Sequence, residues 1–276
     1  MSITKCVFLN PHWQGGADNA TFDGVKEFAK LYLESVPYLE APASREEATL
    51  EKERGIPGYA CIKKQLLNVR ELLLNERPEK IFAVDGSCDG DVAAIAYMNE
   101  RLHGDLTLVW IDAHGDLNAP EESETKLFYG MPQRILLGGE REAFTEIVPL
   151  PLKPGQVVSF CARDLDAPER AYAEKNRLRA VSAEELAARP ESALEAVRAA
   201  GNGNVYLHLD LDAFDPADVP NTAIPVPDGP KAGVILDAVR SIGEHANVVG
   251  FSINEYTPCG KRTCLMQRLA DFGLSL

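Results

Sequence analysis

The chain is short of positive charge, of cysteine and of long apolar runs. Each shortage removes a class of protein. Lysine and arginine number 28 against 42 aspartates and glutamates, a formal net charge of -14. A nucleic-acid binder needs basic surface to neutralise phosphates, and no basic stripe is present, so no nucleic-acid partner is expected. The six cysteines, at 6, 61, 88, 161, 259 and 264, are too sparse in 276 residues for a disulfide scaffold. No apolar run approaches the roughly 20 residues that span a bilayer, and no membrane partner is expected. The stretch Met1–Trp13 lacks the apolar core and cleavage site of a signal peptide. A cytoplasmic location with reduced thiols is the expectation. The acidic excess favours solubility and suits cations, and proves neither.

What is present is an alternation of two periodicities. Short β-rich apolar runs occur at Cys6–Leu9, Lys80–Val84, Leu106–Ile111, Val157–Cys161, Val205–Leu209 and Val248–Ile253. Helical spacing lies between them, over Ile62–Arg77, Asp89–Arg101, Glu191–Ala200 and Gly233–Ile242. Strands apolar on both faces and separated by helices predict an α/β protein with a mostly parallel central sheet and helices on each side. No repeat or linker divides the chain, so one domain over 1–276 is expected. The proline-rich stretch 216–230 reads as a long functional loop between a strand and a helix. The segment 10–60, with NPHWQGG and the acidic region Ser44–Arg54, reads as a substrate-side lid or as edge helices.

In such sheets ligands bind beyond the carboxyl ends of the strands, and three strand ends carry unusual residues. After Ile111 come Asp112, His114 and Asp116 at alternate positions. If the chain stays extended, these side chains share one face, where two carboxylates and an imidazole suit a divalent ion such as manganese. The same pattern also suits a polar loop with an N-cap and a satisfied histidine. After Leu209 come Asp210 and Asp212, which repel each other unless a cation, a proton or a donor compensates. Four carboxylates at one end of a sheet call for more than one positive charge, and a pair of metal ions is the economical answer. The third end is the turn Asp85-Gly86-Ser87-Cys88-Asp89-Gly90-Asp91. Cys88 there is open to three readings: filler, nucleophile or metal ligand. A nucleophile needs a base, and the chain has five histidines. Cys259 and Cys264 lack a second ligand pair and read as free thiols in a loop and at a helix start.

The segments Trp110–Asn118 (WIDAHGDLN) and His208–Pro216 (HLDLDAFDP) resemble the signatures of the ureohydrolases, the family of arginase, agmatinase and formiminoglutamase. Ala162–Asp166 (ARDLD), Gly250–Pro258 (GFSINEYTP) and the Asp-Pro loop at 215–229 resemble further segments of that family, in its order. The resemblance implies a three-layer α/β/α fold, two Mn2+ ions and a small-molecule guanidino substrate. It implies that Asp112 and Asp210 bridge the ions, that His114 and Asp212 bind one, and that Asp116 binds the other. It implies that Glu255 pairs with the guanidinium through its two oxygens, and that Asn118 and Asp166 hold the amino-acid end of the substrate. Apart from the resemblance, Glu255 and Asp166 also read as ordinary surface acids.

Two positions depart from the family pattern. Cys88 stands where the family carries a histidine, as it does in a branch resembling the Nω-hydroxyarginine hydrolase of D-cycloserine biosynthesis. That branch also shares the Val-Pro-Asp-Gly stretch at 226–229. The alternative is an inert Cys88 with Asp89 or Asp91 reaching the metal. Tyr129, in Phe128–Pro132 (FYGMP), stands where arginases carry a proton-transfer histidine, and a phenol is a poorer shuttle near neutral pH. It also reads as a packing aromatic. The expected function is manganese-dependent hydrolysis of a guanidino C–N bond in an arginine-like substrate, giving an amine plus urea or hydroxyurea. Asp116 passes the proton, and Nω-hydroxyarginine is a credible substrate. The alternative is a non-catalytic arginase-like binding protein. A single-zinc deacetylase-like enzyme fits poorly, because paired carboxylates suit two metals. A homo-oligomer is compatible with the sequence but not argued by it.

Overall fold

A computed structural model describes residues 4–45 and 51–276. Among these described residues, ten strands and ten α-helices follow in chain order. They begin with β1 (Lys5–Asn10), α1 (Ala20–Tyr32), β2 (Leu39–Glu40), β3 (Lys52–Glu53), β4 (Ile56–Pro57), α2 (Tyr59–Glu76), β5 (Lys80–Asp85), α3 (Val92–Arg101) and β6 (Thr107–Ile111). They continue with α4 (Pro132–Leu136), α5 (Arg141–Phe144), β7 (Val157–Phe160), α6 (Ala167–Asn176), β8 (Arg179–Val181), α7 (Ala183–Ala188), α8 (Glu191–Ala200), β9 (Asn204–Asp210), α9 (Ala232–His245), β10 (Asn247–Asn254) and α10 (Cys264–Ser275). Eight strands form one sheet in the order β2-β1-β5-β10-β9-β6-β7-β8. Every pair in it is parallel, and β3 and β4 make a separate antiparallel pair.

The alternation along each strand divides the core in two. Leu207 and Leu209 of β9 pack with α1, α8, α9 and α10 on one face. Tyr206 of β9 and Trp110 of β6 pack with α2, α3, α4 and α5 on the other. Both faces are covered, which is why the strands read as continuous apolar runs. Burying each large apolar side chain contributes about 1.5–3 kcal/mol, so this double core carries the sheet.

Helix ends follow local chemistry. Gly201 closes α8 in the left-handed conformation. Asp166 and Glu169 form a reciprocal capping box at the start of α6, with Pro168 in its first turn. The edge strands β2 and β8 and helix α6 were not among the expected elements. The first two are only two and three residues long, below the length at which alternation is readable. Of the segment 10–60, residues 46–50 and with them part of the acidic region lie outside the described residues. The rest supplies α1, β2 and a turn at 14–17 that reaches the site. Among the described residues, no helix is long and apolar enough to cross a membrane.

Candidate metal centre

Four adjacent strands, β5, β10, β9 and β6, deliver their carboxyl ends to one place. Trp110, His208 and Ser252 lie side by side in register. Asp112 and Asp210 follow two residues after the first two, on the same face.

Strand β6 stops at Ile111, and the chain does not stay extended through Asp116 as the alternate spacing had suggested. Asp112 Oδ2 accepts the Trp110 indole N–H at 2.9 Å, and Oδ1 accepts the His114 amide at 2.6 Å. Asp116 then takes a left-handed backbone, φ +53°. This residue reverses the chain and returns a third side chain to the cleft, at a conformational cost of about 1–2 kcal/mol. Asp116 is buried, and its Oδ2 has no hydrogen-bond partner.

Asp210 ends β9, and a short helical turn, Leu211–Ala213, follows. The turn forms because Asp210 Oδ1 accepts the Asp212 amide at 2.7 Å. It swings the Asp212 carboxylate sideways. Asp212 Oδ1 accepts the Ala113 amide at 3.0 Å, and Oδ2 lies 2.8 Å from His114 Nδ1. The two aspartate loops are thereby locked to each other.

After β5, Cys88 opens the helical turn Cys88–Asp91. Its Sγ lies 2.8 Å from Asp210 Oδ2 and 4.0 Å from Asp112 Oδ2. Glu255 follows β10 with φ +64°, and its Oε1 accepts the Cys88 amide at 3.1 Å. Glu255 is only 6% exposed, so it is not a surface acid. Asp89 and Asp91 turn away from the cluster. Asp89 Oδ2 lies 2.6 Å from His12 Nε2, and Asp91 engages His208, Ser252 and Tyr206.

The electrostatics are those of a site crowded with one sign. Two like charges about 4 Å apart repel by about 4 kcal/mol at an effective dielectric near 20, and five acids gather here: Asp112, Asp116, Asp210, Asp212 and Glu255, all buried. Burial and the neighbouring carboxylates push Asp116 and Asp210 well above the ordinary range. They push Asp212 to about 6. Burial pushes Glu255 to about 8. Asp112 is the exception. Burial raises it, but the hydrogen bonds and charge of His114 outweigh that and lower it. Burial opposes the charged form of His114, but Asp112 and Asp212 hold its pKa far above the usual imidazole range. One imidazolium cannot balance five acids.

The side chains form three overlapping groups with the spacing of metal ligands. Cys88, Asp112 and His208 place donor atoms within 4.8 Å of one another, as do Cys88, Asp210 and Glu255, and as do Asp112, His114 and Asp212. Asp112 belongs to two of these groups, and so does Cys88.

A cleft of about 240 Å3 opens above the cluster, lined by His114, Asp116, Asn118, Tyr129 and Asp166 among others. Asn118 Nδ2 donates to Asp166 Oδ2 at 2.9 Å. Glu169 steadies this rim from below by accepting the Leu117 and Asp166 amides at 2.9 and 2.8 Å. Tyr129 is another of the lining residues. Its amide and that of Phe128 donate to the Gly15 carbonyl, which ties the segment after β1 to the cleft wall. Gly15 is required there, because a Cβ would sit 1.9 Å from an Asp89 oxygen.

Sequence reasoning did not single out His208, His12, Arg163 or Glu169. His208 was legible in principle, since it precedes Asp210 by two residues and so shares its strand face. Arg163 was not. Its guanidinium donates to the carbonyls of Cys161, Asp212, Ala213, Phe214, Val226 and Pro227, joining three loops far apart in the chain. Cys259 and Cys264 are free thiols, in a loop and at the first residue of α10.

Comparison with known proteins adds to this geometry. The sequence model of the arginase family matches residues 90–269. The arginase of Staphylococcus aureus (strain COL) is 31% identical over 194 residues, covering 67% of this chain and 63% of that protein. The arginase of Schizosaccharomyces pombe is 27% identical over 201 residues, covering 69% and 61%. The chain thus spans less than two thirds of the length of these curated relatives. Among solved structures, the arginase of Entamoeba histolytica in complex with L-ornithine superposes with a TM-score of 0.84 at 20% identity, over 100% of this chain and 98% of that one. Proclavaminate amidino hydrolase from Streptomyces clavuligerus gives 0.69 at 20% identity, over 99% and 90%. At such identities the structures speak for the fold.

Proposed function

The chain belongs to the arginase family, and from that premise we propose that it hydrolyses a guanidino C–N bond at a centre of two manganese ions. The observation that carries the reading is the sharing of Asp112 between two groups of ligand-spaced atoms, one with Cys88 and one with His114 and Asp212. Cys88, Asp112, His114, Asp116, Asp210 and Asp212 would hold the ions. When bound, the ions supply Lewis acidity that makes a water nucleophilic near neutral pH.

The protein's own groups do the rest. Glu255 is fixed by the Cys88 amide, and its two oxygens match the planar N–H fork of a guanidinium. Asp116 keeps one oxygen free of any hydrogen bond. That oxygen takes the proton of the attacking water and delivers it to the departing amine nitrogen. Asn118 and Asp166, already bonded to each other at the rim, orient the amino-acid end of the substrate. Tyr129 faces the same cleft, and burial raises its phenol further from neutrality. It therefore donates a hydrogen bond rather than shuttling a proton. A substrate that needs less help with proton transfer suits such a site. Hydroxyguanidines are more acidic than guanidines, which favours Nω-hydroxyarginine among arginine-like compounds. Water adds to the guanidino carbon, the C–N bond breaks, and the products are an amine plus urea or hydroxyurea.

The test is product release by manganese-loaded protein from arginine, Nω-hydroxyarginine, agmatine and guanidinobutyrate. Turnover of Nω-hydroxyarginine above arginine is expected. Turnover of arginine or agmatine instead would remove the substrate assignment. Silence across the panel with two ions bound would overturn the hydrolase reading.

A further inference from the structure

We propose that His208 is itself a metal ligand, closing the Cys88 end of the centre. The inference deepens the two-ion reading above and rests on it. The position opposite His114 contains a sulfur, and the glycine-rich turn that carries Cys88 supplies no imidazole. An imidazole arrives instead from inside the sheet. A His208 ring nitrogen, the Cys88 sulfur and an Asp112 oxygen lie within 4.8 Å of one another, all three residues buried.

The surroundings of His208 fix which nitrogen is offered. Its ring is stacked on Trp110, centroids 3.4 Å apart and planes within 8°, so it cannot turn. Nδ1 lies 3.0 Å from Asp91 Oδ2. Asp91 is a built acceptor: Ser252 Oγ donates to the same oxygen at 2.6 Å, and Tyr206 donates to the other. Asn254 Nδ2 stands 3.3 Å from Nδ1 as well. With Nδ1 facing Asp91, Nε2 is the ring nitrogen left for a ligand. Nε2 is fully buried and has no hydrogen-bond partner. A neutral imidazole that gives one N–H to a carboxylate and points the other nitrogen at acidic ligands is the usual arrangement of a metal-binding histidine. A ring nitrogen buried without a partner carries an uncompensated desolvation penalty. Coordination removes that penalty.

A thiolate and an imidazole together are softer than a carboxylate set. The Cys88 end therefore favours cobalt or zinc over manganese more strongly than the His114 end does.

The experiment uses Co2+ added to metal-free full-length protein. Wild type is expected to bind two ions and to develop a near-ultraviolet thiolate-to-cobalt absorption. In His208→Gln the affinity of the thiolate-linked position falls about 10–100-fold and its visible cobalt bands move, while the other position titrates unchanged. Asp91→Asn shifts the same position in the same direction by less. A His208→Gln protein with unaltered cobalt affinity and bands would overturn the proposal. A second measurement needs no variant: proton NMR of cobalt-loaded wild type is expected to show two paramagnetically shifted exchangeable imidazole N–H signals. One signal with two ions bound would overturn the His208 assignment alone. Wild type that binds no Co2+ would overturn the two-ion reading together with it.

Discussion

Cys88 Sγ and Asp210 Oδ2 lie 2.8 Å apart in a fully buried setting. At that distance the thiol donates a hydrogen bond to the carboxylate. Burial first, and then the charges of Asp210 and Asp112, push the Cys88 thiol well above its ordinary range.

Metal binding must therefore release protons. Calorimetric titration of metal-free protein in buffers of different ionisation heat is expected to show at least one proton leaving per pair of ions. Affinity should rise about tenfold per pH unit for each proton released. In Cys88→Ala one released proton should disappear and the occupancy of one position fall. Two ions retained at full occupancy in that variant would remove Cys88 from the ligand set.

Asp116→Asn keeps the shape of the side chain and removes its charge. The fold should persist, because the left-handed backbone at 116 is one asparagine also adopts. Turnover should fall at least 100-fold, within the range for loss of a proton-transfer group. Steady-state kinetics beside a thermal melt decide this, and unchanged turnover would exclude Asp116 from proton transfer.

The metal-free protein should lose stability as pH rises. Asp212 at about 6 and Glu255 at about 8 in the folded chain stand above unfolded values near 4. The native state then binds more protons than the unfolded state between those limits, and the slope of stability against pH is negative. The contribution is fully present below about pH 4 and is lost as pH rises to about 8. Melting of chelator-treated protein is expected to occur at lower temperature at pH 8 than at pH 5.5, with Mn2+ restoring more at pH 8. A melting temperature that rises over this interval, corrected by a Glu255→Gln control, would contradict the assigned burial of these acids.

Arg163 gathers six carbonyls, including that of Asp212. Arg163→Ala leaves these acceptors unpaired and should cost about 2–3 kcal/mol in denaturant unfolding. It should also weaken the His114–Asp212 metal position before the Cys88 position, which cobalt titration resolves. Equal weakening of both would mean that the arginine supports the domain rather than the loop.

The principal strands and the larger helices were legible because they obey a period. The runs at 80–84 and 205–209 are β5 and β9, and the helix expected over Glu191–Ala200 is α8. Strand β8, of three residues, and the polar helix α6, with a single buried residue, gave no such period. Asp112, His114, Asp210 and Asp212 were candidates in the sequence because alternating acids follow two strand ends, and the structure brings them together. Their convergence had another cause than expected. It arises from the left-handed turn at Asp116 and the helical turn after Asp210, neither of which alternate spacing reveals.

By itself, the sequence determined which side chains stand at the carboxyl ends of buried strands, because apolar alternation ends where the acids begin. It also placed a cysteine in the acidic turn after β5, at position 88. Only the tertiary structure decided which acids share a centre and which turn away. Asp91 and Asp89 neighbour Cys88 in the chain yet serve His208 and His12, while Glu255, distant in sequence, grips the Cys88 amide. The reason is the sheet order: β10 and β9 insert between β5 and β6. Which strands become neighbours depends on the packing of the whole chain, and no local pattern encodes it.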